Sequence, residues 1–126
     1  MNRAALIALV ATPLGALMLI AASEPADIVR PDMPGRQVFA HQCAPCHGTG
    51  PGADGAPMLP GTATLAARYD GARPAALELR SDLPAPVLRL FVRRGVGAMP
   101  PFRKSEITDA QIDAVAAYLA ATAEAN

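Results

Sequence analysis

Two cysteines and a histidine are the residues of this 126-residue chain whose types and spacing could do chemistry. Cys43, Cys46 and His47 spell Cys-Ala-Pro-Cys-His, with two thiols three positions apart and an imidazole directly after the second. Thiols at that separation can each add to one of the two vinyl groups of a haem while the adjacent imidazole reaches the iron from one face. Such a link keeps the cofactor in place with its edge near solvent. Three other chemistries use the same residue types. A Cys-x-x-Cys thiol redox site expects a strand before the motif and a helix N-terminus under it; here a helical pattern precedes the motif and a glycine-rich stretch follows. A structural zinc site needs four ligands, and His41, Cys43, Cys46 and His47 crowd one stretch with no second pair. A disulfide between Cys43 and Cys46 would close too small a loop to give the histidine a role. The motif points to one covalently bound haem c over all three.

Iron held by His47 needs a sixth ligand, or an open position where small molecules bind. Of the five methionines, Met1 and Met18 fall in the N-terminal apolar run and Met33 in a linker, which leaves Met58 and Met99. Met58 follows His47 by only eleven positions and is tethered to the same side of the attachment loop. Met99 comes after a complete predicted helix, in the run Gly-Val-Gly-Ala-Met-Pro-Pro-Phe, which can lay a thioether sulfur on the opposite face. Met99 is therefore the expected metal ligand beside His47. His41, two residues before the first cysteine, is expected to face solvent.

The elements that must position these residues are helices. Length predicts one domain. Aromatic residues are only 4% of the chain and tryptophan is absent, so few large side chains can close a core and a buried prosthetic group is one source of bulk. Residues 1–23 read as an export signal, with Arg3 ahead of an apolar run and Ala21-Ala22-Ser23 offering a cut before Glu24. The competing reading is an uncleaved membrane anchor, because the run approaches the ~20 residues that span a bilayer. Either way the remainder is expected in the periplasm. Residues 24–34 read as a linker and 35–126 as the functional domain. Gly35 to Cys43 is predicted as a helix of about three turns, His47 to Gly61 as an irregular loop, and Thr62 to Tyr69 as a short helix ended by Asp70-Gly71. Leu83 to Arg94 follows a cap at Ser81 or Asp82, with Val87, Leu88, Phe91 and Val92 as its buried stripe. Thr108-Asp109-Ala110-Gln111 is a capping box that opens a last helix, with Ile112, Val115, Tyr118 and Leu119 on one face. No segment alternates like a strand, so the class is all-α.

On these motifs the chain resembles the class I c-type cytochromes over nearly all of Gly35 to Ala121. Gly35-x-x-x-Phe39 is similar to the family's first helix, and Val115, Tyr118 and Leu119 to the last helix that it crosses. Pro57, Leu59 and Gly61 resemble the family loop in which a proline carbonyl accepts a hydrogen bond from the proximal imidazole and a leucine covers the haem. The resemblance thus implies cofactor-binding roles for Pro57 and Leu59. Met99 stands where the family carries its axial methionine. More narrowly, Arg93-Arg94-Gly95 through Met99-Pro100-Pro101-Phe102 resembles the small cytochromes that serve flavin dehydrogenases of the p-cresol methylhydroxylase type. The lysine-rich face of the mitochondrial branch is missing, since Lys104 is the only lysine.

The resemblance implies a His/Met-ligated electron carrier, not an enzyme, taking single electrons from a dehydrogenase and passing them to a cytochrome or oxidase. No nucleic-acid partner is expected, and membrane attachment only through an uncleaved N-terminal segment. The alternatives are a tightly bound cytochrome subunit of a flavin or quinone dehydrogenase complex, and a haem enzyme such as a peroxidase in which Met99 does not ligate. Charge is distributed unevenly although the net charge is zero. From Arg68 to Lys104 there are eight basic residues against three acids, and from Ser105 to Asn126 four acids and no base. Arg93, Arg94 and Arg103 are expected to steer an acidic partner towards an apolar patch of Ala98, Pro100, Pro101 and Phe102.

Overall fold

The structure is a computed structural model and describes residues 33–126. The expected signal and nearly all of the linker lie outside the described residues. Five helices follow in order: α1 (Pro34–Gln42), α2 (Ala44–His47), α3 (Pro60–Tyr69), α4 (Ala85–Arg94) and α5 (Asp109–Ala125), with 3₁₀ turns at Ala53–Gly55 and Leu77–Leu79. Among the described residues there is no strand, as the absence of alternation predicts.

Each helix starts for a local reason. Pro34 and Pro60 occupy the first helical positions of α1 and α3, where a missing N–H loses no bond. α3 therefore opens at Pro60, two residues before the predicted Thr62. α5 opens on the predicted capping box: the Gln111 amide donates to Thr108 Oγ1 at 3.2 Å, and the Thr108 amide donates to Gln111 Oε1 at 2.8 Å. The expected cap of α4 at Ser81 or Asp82 is not used. The helix opens at Ala85, with Pro84 as its N-cap and Pro86 in the first turn, where a missing N–H loses no bond. Asp82 instead accepts from Arg80 Nε at 2.8 Å and Nη2 at 2.7 Å, and pairs with Arg73.

The core forms where α1 crosses α5. Gly35 has α5 lying directly against it: a Cβ there would stand 2.0 Å from the Ala114 carbonyl oxygen and 2.9 Å from the Val115 nitrogen. One turn on, Phe39 meets Tyr118 with ring centroids 5.4 Å apart, and both residues are 2% exposed. The predicted α5 face of Ile112, Val115, Tyr118 and Leu119 is buried throughout. In α4 only Leu88 and Val92 are buried, Val87 is half-buried, and Phe91 is 42% exposed. α4 meets the core through residues four apart, and Phe91 lies about 100° round the helix from Val92. The expected stripe is thus narrower than its sequence suggests.

Two outcomes follow from this crossing. Gly35→Val meets backbone rather than a yielding side chain, so it should destabilise by about 3 kcal/mol through overpacking. Phe39→Ala should cost on the order of 3 to 5 kcal/mol through the cavity left beside Tyr118. Denaturant melts at neutral pH measure both, and curves matching wild type would refute the contact. A separate outcome concerns alkali. Tyr118 donates to Glu78 Oε1 at 2.5 Å, which holds the Leu77–Leu79 turn against α5. Burial, and then the hydrogen bond to the carboxylate, push the phenol up to about 12 from its ordinary value of 10. The folded state keeps this proton more tightly than the unfolded chain. Its contribution to stability is full below about pH 10 and is lost as pH rises towards about 12. Tyr118→Phe should flatten that part of the stability profile; an unchanged alkaline slope would assign it to another group.

Candidate functional site

α1 runs almost without pause into the Cys-Ala-Pro-Cys-His turn. Cys43 caps α2, and its carbonyl accepts from the amides of Cys46 at 3.1 Å and His47 at 2.8 Å. Both cysteines are free; Cys43 is half-buried against the hydrophobic core and Cys46 is exposed. His47 is half-buried at the end of α2.

α3 fixes this turn from the other side. Thr62 is buried, and its Oγ1 donates to the Gly48 carbonyl at 2.8 Å and, at 3.4 Å, to that of Cys46. Gly61 lies directly against the imidazole: a Cβ there would come within 2.7 Å of His47 Cε1, 2.8 Å of Nδ1 and 2.8 Å of the Cys46 carbonyl oxygen. Only hydrogen fits between α3 and the ring. This close approach aims the Nδ1 edge of His47 into the protein, and Nδ1 is buried without a partner. The hydrogen bond to the Pro57 carbonyl that the resemblance implies is not formed. Burial lowers the imidazole below its usual pKa, which keeps it neutral and so able to bind a metal at neutral pH. Pro57 and Met58 are exposed and, with Thr62, Ala76 and Leu79, line an open apolar recess of about 440 Å³ beside the attachment turn. Leu59 is half-buried and caps α3.

Met99 is built into a tight loop. Val96 and Met99 exchange both backbone hydrogen bonds at 3.0 Å around Gly97-Ala98, and Gly97 has φ +56°, which glycine adopts without strain. Gly95, at φ +66°, lets the returning segment fold back on the end of α4, since a Cβ there would stand 2.6 Å from the Met99 carbonyl oxygen. Met99 is half-buried and packs against the core, whereas Met58 is 39% exposed. His41 is exposed, as expected.

The competing chemistries find no footing here. A helix, not a strand, precedes the motif, and burial followed by repulsion from Cys46 pushes the Cys43 thiol up to about 11, opposite to an activated thiolate. Among the described residues no group of three or more His, Cys, Asp or Glu converges as a structural zinc site would require.

The family model described as cytochrome c oxidase, cbb3-type, subunit III matches residues 30–119. The chain belongs to this family of c-type cytochromes. No curated protein and no solved structure matches it. The five helices are accordingly those of the all-α class I cytochrome c fold, which carries covalently bound haem c and works in haem-based electron transfer. The residues present fit that group: two free thiols on one turn, a neutral imidazole with an orphaned inner nitrogen, and apolar surface beside them.

The cytochrome differs from its sequence expectation in its arginines. Arg93 is only 20% exposed and is turned inward, bonded to Asp109 and to two backbone carbonyls, so it is not a docking residue. Arg89 pairs with Asp113, Arg80 is buried against Tyr69 and Asp82, and Lys104 pairs with Asp109. Arg94 and Arg103 are exposed and form no ion pair with any described residue. The roles of Thr62 and Arg93 escape sequence reading because each acts on backbone carbonyls that only the fold brings near. Among the described residues no helix is long and apolar enough to cross a membrane.

Proposed function

We propose that this cytochrome is a periplasmic one-electron carrier holding one haem c through Cys43 and Cys46, with His47 and Met99 as axial ligands. The single observation that carries the reading is the imidazole clamped by Gly61 with Nδ1 inward, which leaves Nε2 to face a metal. Nδ1 has no partner in this structure; the resemblance assigns it the Pro57 carbonyl, and closing that bond when haem is bound would fix the tautomer of His47 and raise its basicity as a ligand. Leu59 covers the cofactor. Half-buried Met99, held by the Val96 bridge, is the distal donor, and exposed Met58 is not. When bound, the haem supplies a one-electron couple at its iron, and a thioether ligand together with burial favours the reduced state. With His47 and Met99 both holding the iron, no open position would remain for a substrate, and the protein would relay electrons.

A dehydrogenase is the donor and a cytochrome or terminal oxidase the acceptor; the oxidase is supported by the description of the matched family. The narrower likeness of residues 93–102 to cytochromes of p-cresol methylhydroxylase-type enzymes supports a flavin dehydrogenase as donor. A redox titration of the purified holoprotein tests the reading: one n = 1 wave and one haem per chain are expected, and two waves or turnover with peroxide would contradict it. Docking has its own test. Arg94 and Arg103, exposed beside the Met99 loop and without an ion-pair partner among the described residues, should steer an acidic donor. The second-order rate should fall as salt shortens the screening length from ~10 Å at 0.1 M towards ~3 Å at 1 M. Arg94→Glu with Arg103→Glu should slow the low-salt rate far more than the high-salt rate. A rate indifferent to both would mean apolar docking or a permanent subunit, and native size-exclusion separates those two.

A further inference from the structure

The guanidinium of Arg93 sits where three chain segments meet. It lies in the last turn of α4 and makes four hydrogen bonds. Nη1 donates to the Phe102 carbonyl at 3.0 Å and Nη2 to the Ile107 carbonyl at 2.8 Å, while Nη2 and Nε reach Asp109 Oδ1 at 2.6 and 3.2 Å. The Phe102 amide in turn donates to the Val92 carbonyl at 2.8 Å. Both backbone groups of Phe102 are thus tied to α4. The chain leaves α4 at Gly95, whose amide donates to the Phe91 carbonyl at 2.8 Å, so residues 95–101 form a loop pinned to the same helix end at each side. Met99 lies inside that loop.

The charges suit their places. A cation in the last turn of α4 and the carboxylate of Asp109 in the first turn of α5 each complement a helix dipole, and their pairing joins the two helix ends. Only a planar fork with several fixed donors can serve two carbonyls and a carboxylate together; a lysine ammonium in that place can satisfy fewer of them. Arg89 is an internal comparison. It also bridges α4 to α5, through Asp113, but has no bond to the loop.

We infer that Arg93 is a positioning residue: it latches the loop that presents Met99, and so sets how readily the sulfur leaves the iron. The inference rests on the proposed ligation by Met99. Opening the latch should leave the helical core standing while the loop swings away more often, and an outside ligand competing with Met99 reads that opening.

The test is imidazole binding to the oxidised holoprotein, followed by loss of the methionine-to-iron charge-transfer band, with guanidinium unfolding of each variant in parallel. Arg93→Gln should bind imidazole about tenfold more tightly than wild type, equivalent to 1.4 kcal/mol. Arg93→Lys should fall between, because it keeps the charge opposite Asp109 but not the fork. Arg89→Gln should bind as wild type. Hydrogen exchange of the holoprotein should quicken at the amides of Val96, Met99 and Phe102 in Arg93→Gln and not in α1 or α5. Equal imidazole affinity in wild type and both Arg93 variants would overturn the latch. So would an affinity change matched by Arg89→Gln, or a change wholly accounted for by global unfolding. Failure of the underlying ligation looks different: wild type would then bind imidazole as tightly as Met99→Ala does. Should Arg93→Gln not yield holoprotein, Arg93→Lys against Arg89→Gln carries the same comparison.

Discussion

Met99→Ala should convert the oxidised protein from a closed to an open haem, with the methionine charge-transfer band lost and cyanide or imidazole binding where wild type resists them. Met99 is half-buried against the core, held by paired backbone bonds to Val96, and backed by Gly95, whose missing Cβ lets the loop fold onto α4. A loop with that many constraints delivers a thioether at low entropic cost, and removing the sulfur leaves nothing equivalent within it. Loss of a ligand that favours reduced iron should also lower the potential, by on the order of 0.1 V out of the ~0.8 V that axial ligation spans. Met58→Ala should leave the spectrum and potential unchanged, because Met58 is exposed in the loop on the attachment side. The reverse pattern would move the sixth ligand to Met58.

Cys43→Ser with Cys46→Ser should prevent accumulation of folded protein. Among the described residues the large side chains buried to 3% exposure or less are few, namely Phe39, Ile107, Ile112, Tyr118 and Leu119, so the polypeptide alone has a small core. Stabilities of ~5 to 15 kcal/mol leave no margin for losing a central apolar body. Either single variant keeps one thioether and should accumulate less holoprotein than wild type. Far-UV circular dichroism and protease resistance of the double variant read the result directly. A helical, protease-resistant, colourless double variant would show that the fold stands without the cofactor.

What the sequence discloses is local. The Thr108-x-x-Gln111 box, the Gly35 to Phe39 spacing and the α5 face act within a turn or two, so residue types alone locate them, and the Cys-Ala-Pro-Cys-His motif carries its own chemistry. What it hides depends on distant partners. Asp82 looks like a helix cap until Arg80 and Arg73 take its carboxylate, and Phe91 looks buried until α4 meets the core through Leu88 and Val92. Arg93 reads as surface charge because its partners lie nine to sixteen residues downstream. Gly61 is recognisable as part of a loop, but its contact with His47 is a property of how α3 packs on the attachment turn.

Covalent haem at Cys43 and Cys46 is read out by a denaturing gel stained for haem peroxidase activity, using full-length protein from a host with working cytochrome maturation. A coloured band at the mass of the mature chain, absent in the double cysteine variant, is the predicted result. A colourless wild-type band beside a coloured control cytochrome from the same cells would mean that Cys43 and Cys46 hold no haem.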